Sequence, residues 1–354
     1  MTKPQVIVVP HTRTLSRIFA PADWERLNAL AEVVWGRDDP MPPADFEAAL
    51  PEAVAIVHGE WRYGGAEVLR KAPKLKAVLE VMGAHSHPGF DYDYCFDHRI
   101  RVLSCAPAFA PQVAEMALGM ALAAARDIAY GDRLFRAGQE KYSSAGNAGT
   151  FVLSGQTVGF VGFGSVARKL KSLLEPFGCR LLAYDPWLPA SSLRAHGCEP
   201  VALARLMSEA RVIFVAAAPT TQNKAMLSRD LLERIAPGSV LVLISRAHVI
   251  DFDALTELVV QGRFKAAIDV FPVEPAPADL PIRRAENAVL SAHRAGSVRE
   301  GLLEIGRMVV DDLEAILAGV PPQLMQAAQP ELVSKLDPAG ERVSASYLAR
   351  QGKA

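Results

Sequence analysis

The chain has 354 residues, half of them apolar, and a formal net charge of −1. That length accommodates two domains, each with a core of its own. The near-neutral balance carries neither the basic stripe of a nucleic-acid binder nor an acidic tail, and the unbroken apolar runs fall short of a membrane span.

The N-terminus, MTKPQVIVVPHTRT, runs straight into a strand-like segment at Gln5–Val9 and lacks signal-peptide architecture. Leu27, Leu30, Ala31 and Val34 then recur at helical spacing, which predicts an amphipathic helix over 24–35. Apolar strands follow at 54–58 and 75–81, with the helix-like GAEVLRKAP between them, so the opening alternates as an α/β domain does. The loop Met82-Gly83-Ala84-His85 leads into the aromatic stretch SHPGFDYDYCFDH and a short strand at 101–104. His85 and His87 offer two metal ligands with no third spaced nearby, so the expectation is no metal site. Tyr92, Tyr94 and Phe90 read as packing for that loop. Pro111 is expected to open a long helix, with Val113, Met116, Ala117, Met120 and Ala124 on one face, running toward Gly138. Residues 138–150 are rich in Gly and Ser and read as loop.

Next comes GFVGFGSVARKLKSLLEPFGCRLLAYD, from Gly159 to Asp185. Val158–Val161 is a buried-strand run, and Leu170, Leu173, Leu174 and Phe177 follow at helical spacing. Gly178 stands where a helix C-terminus takes a left-handed residue, and 180–184 is the next strand. The turn reads G-x-G-x-x-A, with an acid 21 residues past Gly164. Such a turn alone is common. In register with strand, helix, strand and acid it is a dinucleotide fingerprint. Gly162 permits the tight turn, Gly164 lets backbone N–H groups reach a pyrophosphate, and Ala167 allows close helix–strand packing. Asp185 can accept hydrogen bonds from ribose hydroxyls and repels a 2′-phosphate, so the cofactor expected is NAD rather than NADP.

Further strands at 212–217, 240–244, 266–270 and 288–291 alternate with helices, one of them capped by Asp251 or Asp253, giving about six parallel strands. A last helix over 302–318 repeats Leu302, Ile305, Val309, Leu313 and Ile316, and the charged tail from Pro330 reads as a loosely docked extension. Cys95, Cys105, Cys179 and Cys198 show no paired spacing and read as free thiols of a cytoplasmic protein, Cys105 and Cys179 within the core.

Three strands deliver polar residues to their carboxyl ends, where open parallel sheets bind ligands. VLVLIS leads into Arg246, AAIDV precedes Glu274, and AVLSA precedes His293. A guanidinium grips a carboxylate and polarises the neighbouring carbonyl. An imidazole exchanges the hydroxyl proton near neutral pH, and a paired glutamate fixes its tautomer.

Over residues 1–322 the chain resembles the D-isomer-specific 2-hydroxyacid dehydrogenase family. The resemblance rests on eight segments in family order: APKLKAVLEVMG, VAEMALGMALAAAR, TVGFVGFGSVA, LLAYDPW, AAAPTTQNKAML, SRAHVIDFDAL, AAIDVFPVEP and VLSAHRAGS. It implies catalytic roles for Arg246, Glu274 and His293, with Asp269 supporting their surroundings. It implies cofactor contacts at Gly162, Gly164, Ser165, Val166, Asp185, Pro219, Thr221 and Ser245. The backbone of Gly83, Ala84 and His85 would hold the substrate carboxylate. Two Rossmann-like or flavodoxin-like domains are implied, with doubly wound parallel sheets and the cofactor domain inserted into the substrate domain. The substrate domain would span 1–104 completed by 297–325, the NAD-binding domain 105–296, and a C-terminal extension 326–354. A homodimer built on the long helix is also implied.

The sequence departs from the family at Leu243 and Phe109, where asparagine is common, at Ala247, where glycine is usual, and at Lys224, where threonine is common. An apparent two-residue insertion follows the carboxylate loop. Glu60, Trp61 and His85 are expected to face the substrate side chain and to disfavour a small phosphorylated substrate.

The reading is therefore an NAD-dependent oxidoreductase that interconverts a 2-keto acid and a D-2-hydroxy acid, with His293 as general acid and base. Its partner is a small molecule, not a nucleic acid or a membrane. An NAD(H)-sensing corepressor-like protein is the rival from another class. Formate- or phosphite-dehydrogenase-like oxidation is the rival among enzymes, and the formate case lacks this glutamate partner for the histidine.

Overall fold

The computed structural model describes residues 2–85, 87 and 89–336. The chain divides into two compact units. One comprises the chain up to Phe109 together with the segment from Gly296 onward, and the other is Ala110–Ala295.

In the first unit β1 (Gln5–Val9), β2 (Glu32–Trp35), β3 (Ala53–His58), β4 (Ala77–Glu80) and β5 (Arg101–Ser104) lie parallel, in the order β5-β4-β3-β1-β2. Residues alternate between faces with a period of two, and both faces are covered. Val6, Val8, Ala55, Val57 and Leu79 share one core with Leu302, Ile305, Val309 and Leu313 of the helix Arg299–Leu317. Ile7, Val9, Ile56, Val78 and Val102 face a second core with Phe46, Leu50 and Trp61. The helix over 299–317 thus returns to complete a unit whose other elements lie at the start of the chain.

The helix expected over 24–35 ends at Leu30, and Glu32–Trp35 is instead strand β2, paired with β1. Extended backbone at Ala31 makes the switch, and Val33 and Val34 suit a strand better than a helix. Helical spacing of Leu27, Leu30, Ala31 and Val34 persisted across the boundary by coincidence. In GAEVLRKAP only Ala66–Leu69 is helical.

The second unit carries seven parallel strands. They are β6 (Thr157–Val161), β7 (Arg180–Tyr184), β8 (Glu199–Pro200), β9 (Val212–Val215), β10 (Val240–Leu243), β11 (Lys265–Ile268) and β12 (Ala288–Leu290). Their order is β12-β11-β10-β9-β6-β7-β8. Strand order reverses between β6 and β9, the switch point at which such sheets bind ligands. The strand beyond the expected six is β8, a two-residue edge that ends in Pro200, as an edge position tolerates.

The long helix begins at Ala106, ahead of Pro111, which it contains. It stops at Ala125 because Asp127 is left-handed (φ 52°), and a second helix runs over Ile128–Arg136. Lys265 Nζ lies 2.6 Å from Asp127 Oδ1 and fixes that corner. By length and composition the helix Ala106–Ala125 could cross a bilayer, yet half of it is buried in the protein. Its Ala114, Ala117, Met120, Ala121 and Ala124 pack with Phe160 and Phe214 of the second unit.

Gln326–Ala327 forms β13, antiparallel to β5, so the segment after 325 begins as an edge strand of the first sheet. The short helix Pro330–Val333 follows. Residues 337–354 of the expected extension lie outside the described residues. All four cysteines are free, with Cys95, Cys105 and Cys198 buried and Cys179 partly so.

Candidate active site

β6 ends in the glycine turn. Gly162 has φ 85°, and a Cβ there would stand 2.6 Å from the Ala217 backbone, so two constraints demand glycine. A Cβ on Gly164 would meet nothing within 4 Å, which leaves open space above the turn. Gly164 precedes the helix Ser165–Leu174, whose first-turn N–H groups receive no side-chain cap. Ser165 and Val166 open that helix, where donors and the helix dipole favour a pyrophosphate. Asp185 follows β7, with Oδ2 accepting from Phe163 N at 2.8 Å and Oδ1 from Trp187 N at 2.9 Å. Each oxygen keeps a further acceptor position for a ribose hydroxyl.

Pro219 and Thr221 lie on the loop after β9. Asn223 holds that loop, accepting from Thr220 N and donating to the Ala218 carbonyl, both at 2.8 Å. His248 Nε2 lies 3.0 Å from the Thr220 carbonyl and links this loop to the segment after Arg246. Sequence reasoning missed Thr220 and His248, because their contact joins residues 28 apart that carry no motif. Ser245 Oγ is buried without a protein partner among the described residues. The glycines, the uncapped helix, Asp185 and this hydroxyl fit a dinucleotide.

Arg246 follows β10 on extended backbone (φ −147°) and donates from Nη1 to the Ser245 carbonyl at 2.8 Å. Asp269 follows β11 and is 1 % exposed. Its carboxylate accepts from Arg294 N and Ala295 N, each at 3.1 Å, and its carbonyl accepts from His293 N at 2.7 Å. These bonds hold His293 in the left-handed region (φ 49°), which a histidine seldom adopts. His293 Nδ1 lies 2.6 Å from Glu274 Oε2, and Glu274 Oε1 accepts from Phe271 N at 2.9 Å. With Nδ1 occupied, Nε2 is the nitrogen left for a reacting group. Glu274 and His293 are thus in contact, Asp269 clamps the histidine's loop, and Arg246 stands on the neighbouring strand end.

Residues 118–295 match the family described as D-isomer specific 2-hydroxyacid dehydrogenase, NAD binding domain. A hydroxypyruvate reductase of Thermotoga maritima is 34% identical over 271 residues, 75% of this chain and 85% of that protein. The chain belongs to the D-isomer specific 2-hydroxyacid dehydrogenase family, and its cofactor is NAD. A D-3-phosphoglycerate dehydrogenase of Mycobacterium leprae is 31% identical over 274 residues, 77% of this chain and 51% of that protein. The chain therefore spans about half the length of the curated phosphoglycerate dehydrogenases it matches. A crystal structure titled as a phosphoglycerate oxidoreductase from Rhizobium etli superposes with TM-score 0.83 at 34% identity, covering 92% of this chain and 99% of that one.

In this member of the 2-hydroxyacid dehydrogenase family, Gly83, Ala84 and His85 lie on the loop after β4, in the first unit. A Cβ on Gly83 would come within 3.3 Å of the Phe109 ring. The His85 ring turns inward, against the expectation that it faces substrate. Its Nδ1 lies 2.6 Å from Glu80 Oε2 and its Nε2 lies 3.1 Å from the Gln326 carbonyl. Trp61 is likewise buried, donating from Nε1 to the Gly64 carbonyl at 2.6 Å, while Glu60 is exposed. Phe90 and Tyr92 do pack the loop, and Tyr92 donates to Glu80 Oε1 at 2.9 Å.

The His85/His87 pair, expected to lack further ligands, has two more candidates nearby. The parallel register of β3 and β4 sets His58 beside Glu80, and His87 joins them. Burial, with His87 nearby, drives the His58 imidazole down to about 3, so it is neutral. Burial alone would lift the Glu80 carboxyl, but His85 and His87 together hold it below the usual range.

Proposed function

We propose that the chain is an NAD-dependent oxidoreductase interconverting a 2-keto acid and a D-2-hydroxy acid. The observation that carries this reading is the 2.6 Å contact between His293 Nδ1 and Glu274 Oε2, formed in the unit that bears the dinucleotide turn. NAD supplies the hydride acceptor or donor when bound. His293 Nε2 gives a proton to the carbonyl oxygen in reduction and takes it from the hydroxyl in oxidation. Glu274 holds the ring at Nδ1 and so fixes which nitrogen exchanges the proton. Arg246 grips the carboxylate and polarises the carbonyl at C2. Gly83, Ala84 and His85 enter through their backbone N–H groups, as anion donors of the first unit. The cofactor contacts are assigned to Gly162, Gly164, Ser165, Val166, Asp185, Pro219, Thr221 and Ser245.

The names of the relatives, a hydroxypyruvate reductase and several phosphoglycerate dehydrogenases, support a small hydroxy or keto acid as substrate. We assign a homodimer, supported by Ile128, Phe135, Tyr142 and Val152, which leave large apolar side chains exposed on and after the helix Ile128–Arg136. Four free cysteines suit a cytoplasmic site of action.

The test is NADH oxidation by the purified chain with glyoxylate, hydroxypyruvate, pyruvate, phenylpyruvate and branched 2-keto acids in turn. Sustained turnover with at least one is expected. NADH binding with no turnover of any would overturn the reading in favour of an NAD(H)-sensing protein.

A further inference from the structure

We propose that His58, Glu80 and His87 bind a divalent first-row transition metal ion of the zinc type. The site is built by the fold of the first unit alone. His58 ends β3 and Glu80 ends β4, and their side-by-side register puts an imidazole and a carboxylate at one end of the sheet. The loop after β4 then brings His87 over them. Glu80 Oε1 lies 4.0 Å from His58 Nε2 and 3.7 Å from His87 Nε2, and the three ligand atoms all lie within 4.8 Å of one another. Bond lengths of about 2.0–2.2 Å in tetrahedral geometry require ligand atoms somewhat over 3 Å apart, so a modest contraction closes the set.

The second observation is what these nitrogens lack. His58 is fully buried, and among the described residues neither of its ring nitrogens has a hydrogen-bond partner. His87 Nε2 is also buried and makes no hydrogen bond among the described residues. Orphaned polar atoms in a core carry a desolvation cost that packing does not return. The rings around them, Trp61 and Phe90, give shape but no hydrogen bond to either histidine. A cation at the common focus of the three atoms would satisfy both Nε2 lone pairs and oppose the buried Glu80 charge.

The donor set decides the class of ion. Two imidazoles and one carboxylate suit zinc, cobalt or nickel better than magnesium or calcium, which take oxygen ligands. The neighbours form the supporting layer that such sites have: His85 Nδ1 lies 2.6 Å from Glu80 Oε2, and the Tyr92 hydroxyl donates to Oε1 at 2.9 Å. Together they orient the carboxylate. Phe90 and Tyr92 also line an open cavity of about 350 Å³, together with Asp91 and Asp93. Bound there, the ion would tie the loop carrying Gly83, Ala84 and His85 to β3 and β4. Given the substrate role proposed for that loop, the ion would order a binding element without taking part in hydride transfer.

The experiment uses the full chain, freed of metal with a chelator and titrated with Co²⁺ or Zn²⁺. One ion per chain is expected, with the visible absorption of low-coordinate Co²⁺ and a raised melting temperature with Zn²⁺. His87→Ala removes a loop ligand without opening the strand core. It should weaken Co²⁺ binding by more than about a hundredfold, the upper range for losing only a supporting partner. His58→Gln tests the buried ligand in the same way, and His98→Ala, an exposed histidine outside the cluster, should bind as the parent does. Absence of stoichiometric binding to the parent chain would overturn the proposal. So would binding that persists at parental affinity in the folded His87→Ala and His58→Gln variants. Metal binding is read without turnover, so its outcome is separate from that of the proposed activity.

Discussion

At the scale of single residues, Asp185 and Glu274 each use a carboxylate held by backbone N–H groups and leave capacity for a second task. The N–H groups of Phe163 and Trp187 fix Asp185 at the end of β7, where a 2′-phosphate would set charge against charge. We therefore expect Asp185→Ala to narrow the preference for NADH over NADPH by about tenfold or more, a change of roughly 1.4 kcal/mol. Comparing kcat/KM for both cofactors in both proteins checks this, and equal use of NADPH by the parent would remove Asp185 from the role. Glu274 meets the His293 ring at Nδ1, 2.6 Å away, and so fixes which ring nitrogen is left for the reacting oxygen. Glu274→Gln keeps the side-chain volume and removes the anionic partner, so kcat for keto-acid reduction should fall by about tenfold or more while NADH affinity stays at the parental value. Steady-state kinetics and an NADH titration of both proteins check this, and an unchanged kcat would remove Glu274 from the role. These residues stood out in the sequence because each follows an apolar strand. His58, Glu80 and His87 did not, because their meeting depends on the register of β3 and β4.

At the scale of elements, two glycines record how closely the layers approach. Gly306 lies on the helix Arg299–Leu317, where a Cβ would stand 2.4 Å from the Ile18 carbonyl and 2.7 Å from the Phe19 ring. Gly306→Ala should therefore destabilise the first unit by about 1–3 kcal/mol, through backbone displacement rather than lost helix propensity. Urea unfolding measures it, and an unchanged or raised midpoint would contradict the packing. Gly162→Ala faces both a positive φ and the Ala217 backbone, and NADH affinity should fall with it. Buried parallel strands were the most legible elements, since each is a short β-branched run between turns. Boundaries were less so. A helical spacing ran on into β2, and Pro111 proved internal to its helix because the apolar face of Ala106–Ala125 offsets a missing N–H.

At the scale of the whole molecule, the chain leaves one α/β unit after Phe109, builds a second, and returns at Gly296 to finish the first. Periodicity could find the final helix but not its destination. Its neighbours are distant in sequence, and family resemblance supplied that assignment. The proposed reaction is hydride transfer to C2 of a keto acid, with a proton delivered by His293. The most direct measurement uses NADH deuterated at both C4 positions, the full chain and a 2-keto acid it turns over. The expected product is a D-2-hydroxy acid carrying one deuterium at C2 for each NADH consumed, formed at least about a hundredfold more slowly by His293→Ala. Product with deuterium lost to water, product of the L configuration, or an undiminished rate in His293→Ala would contradict it.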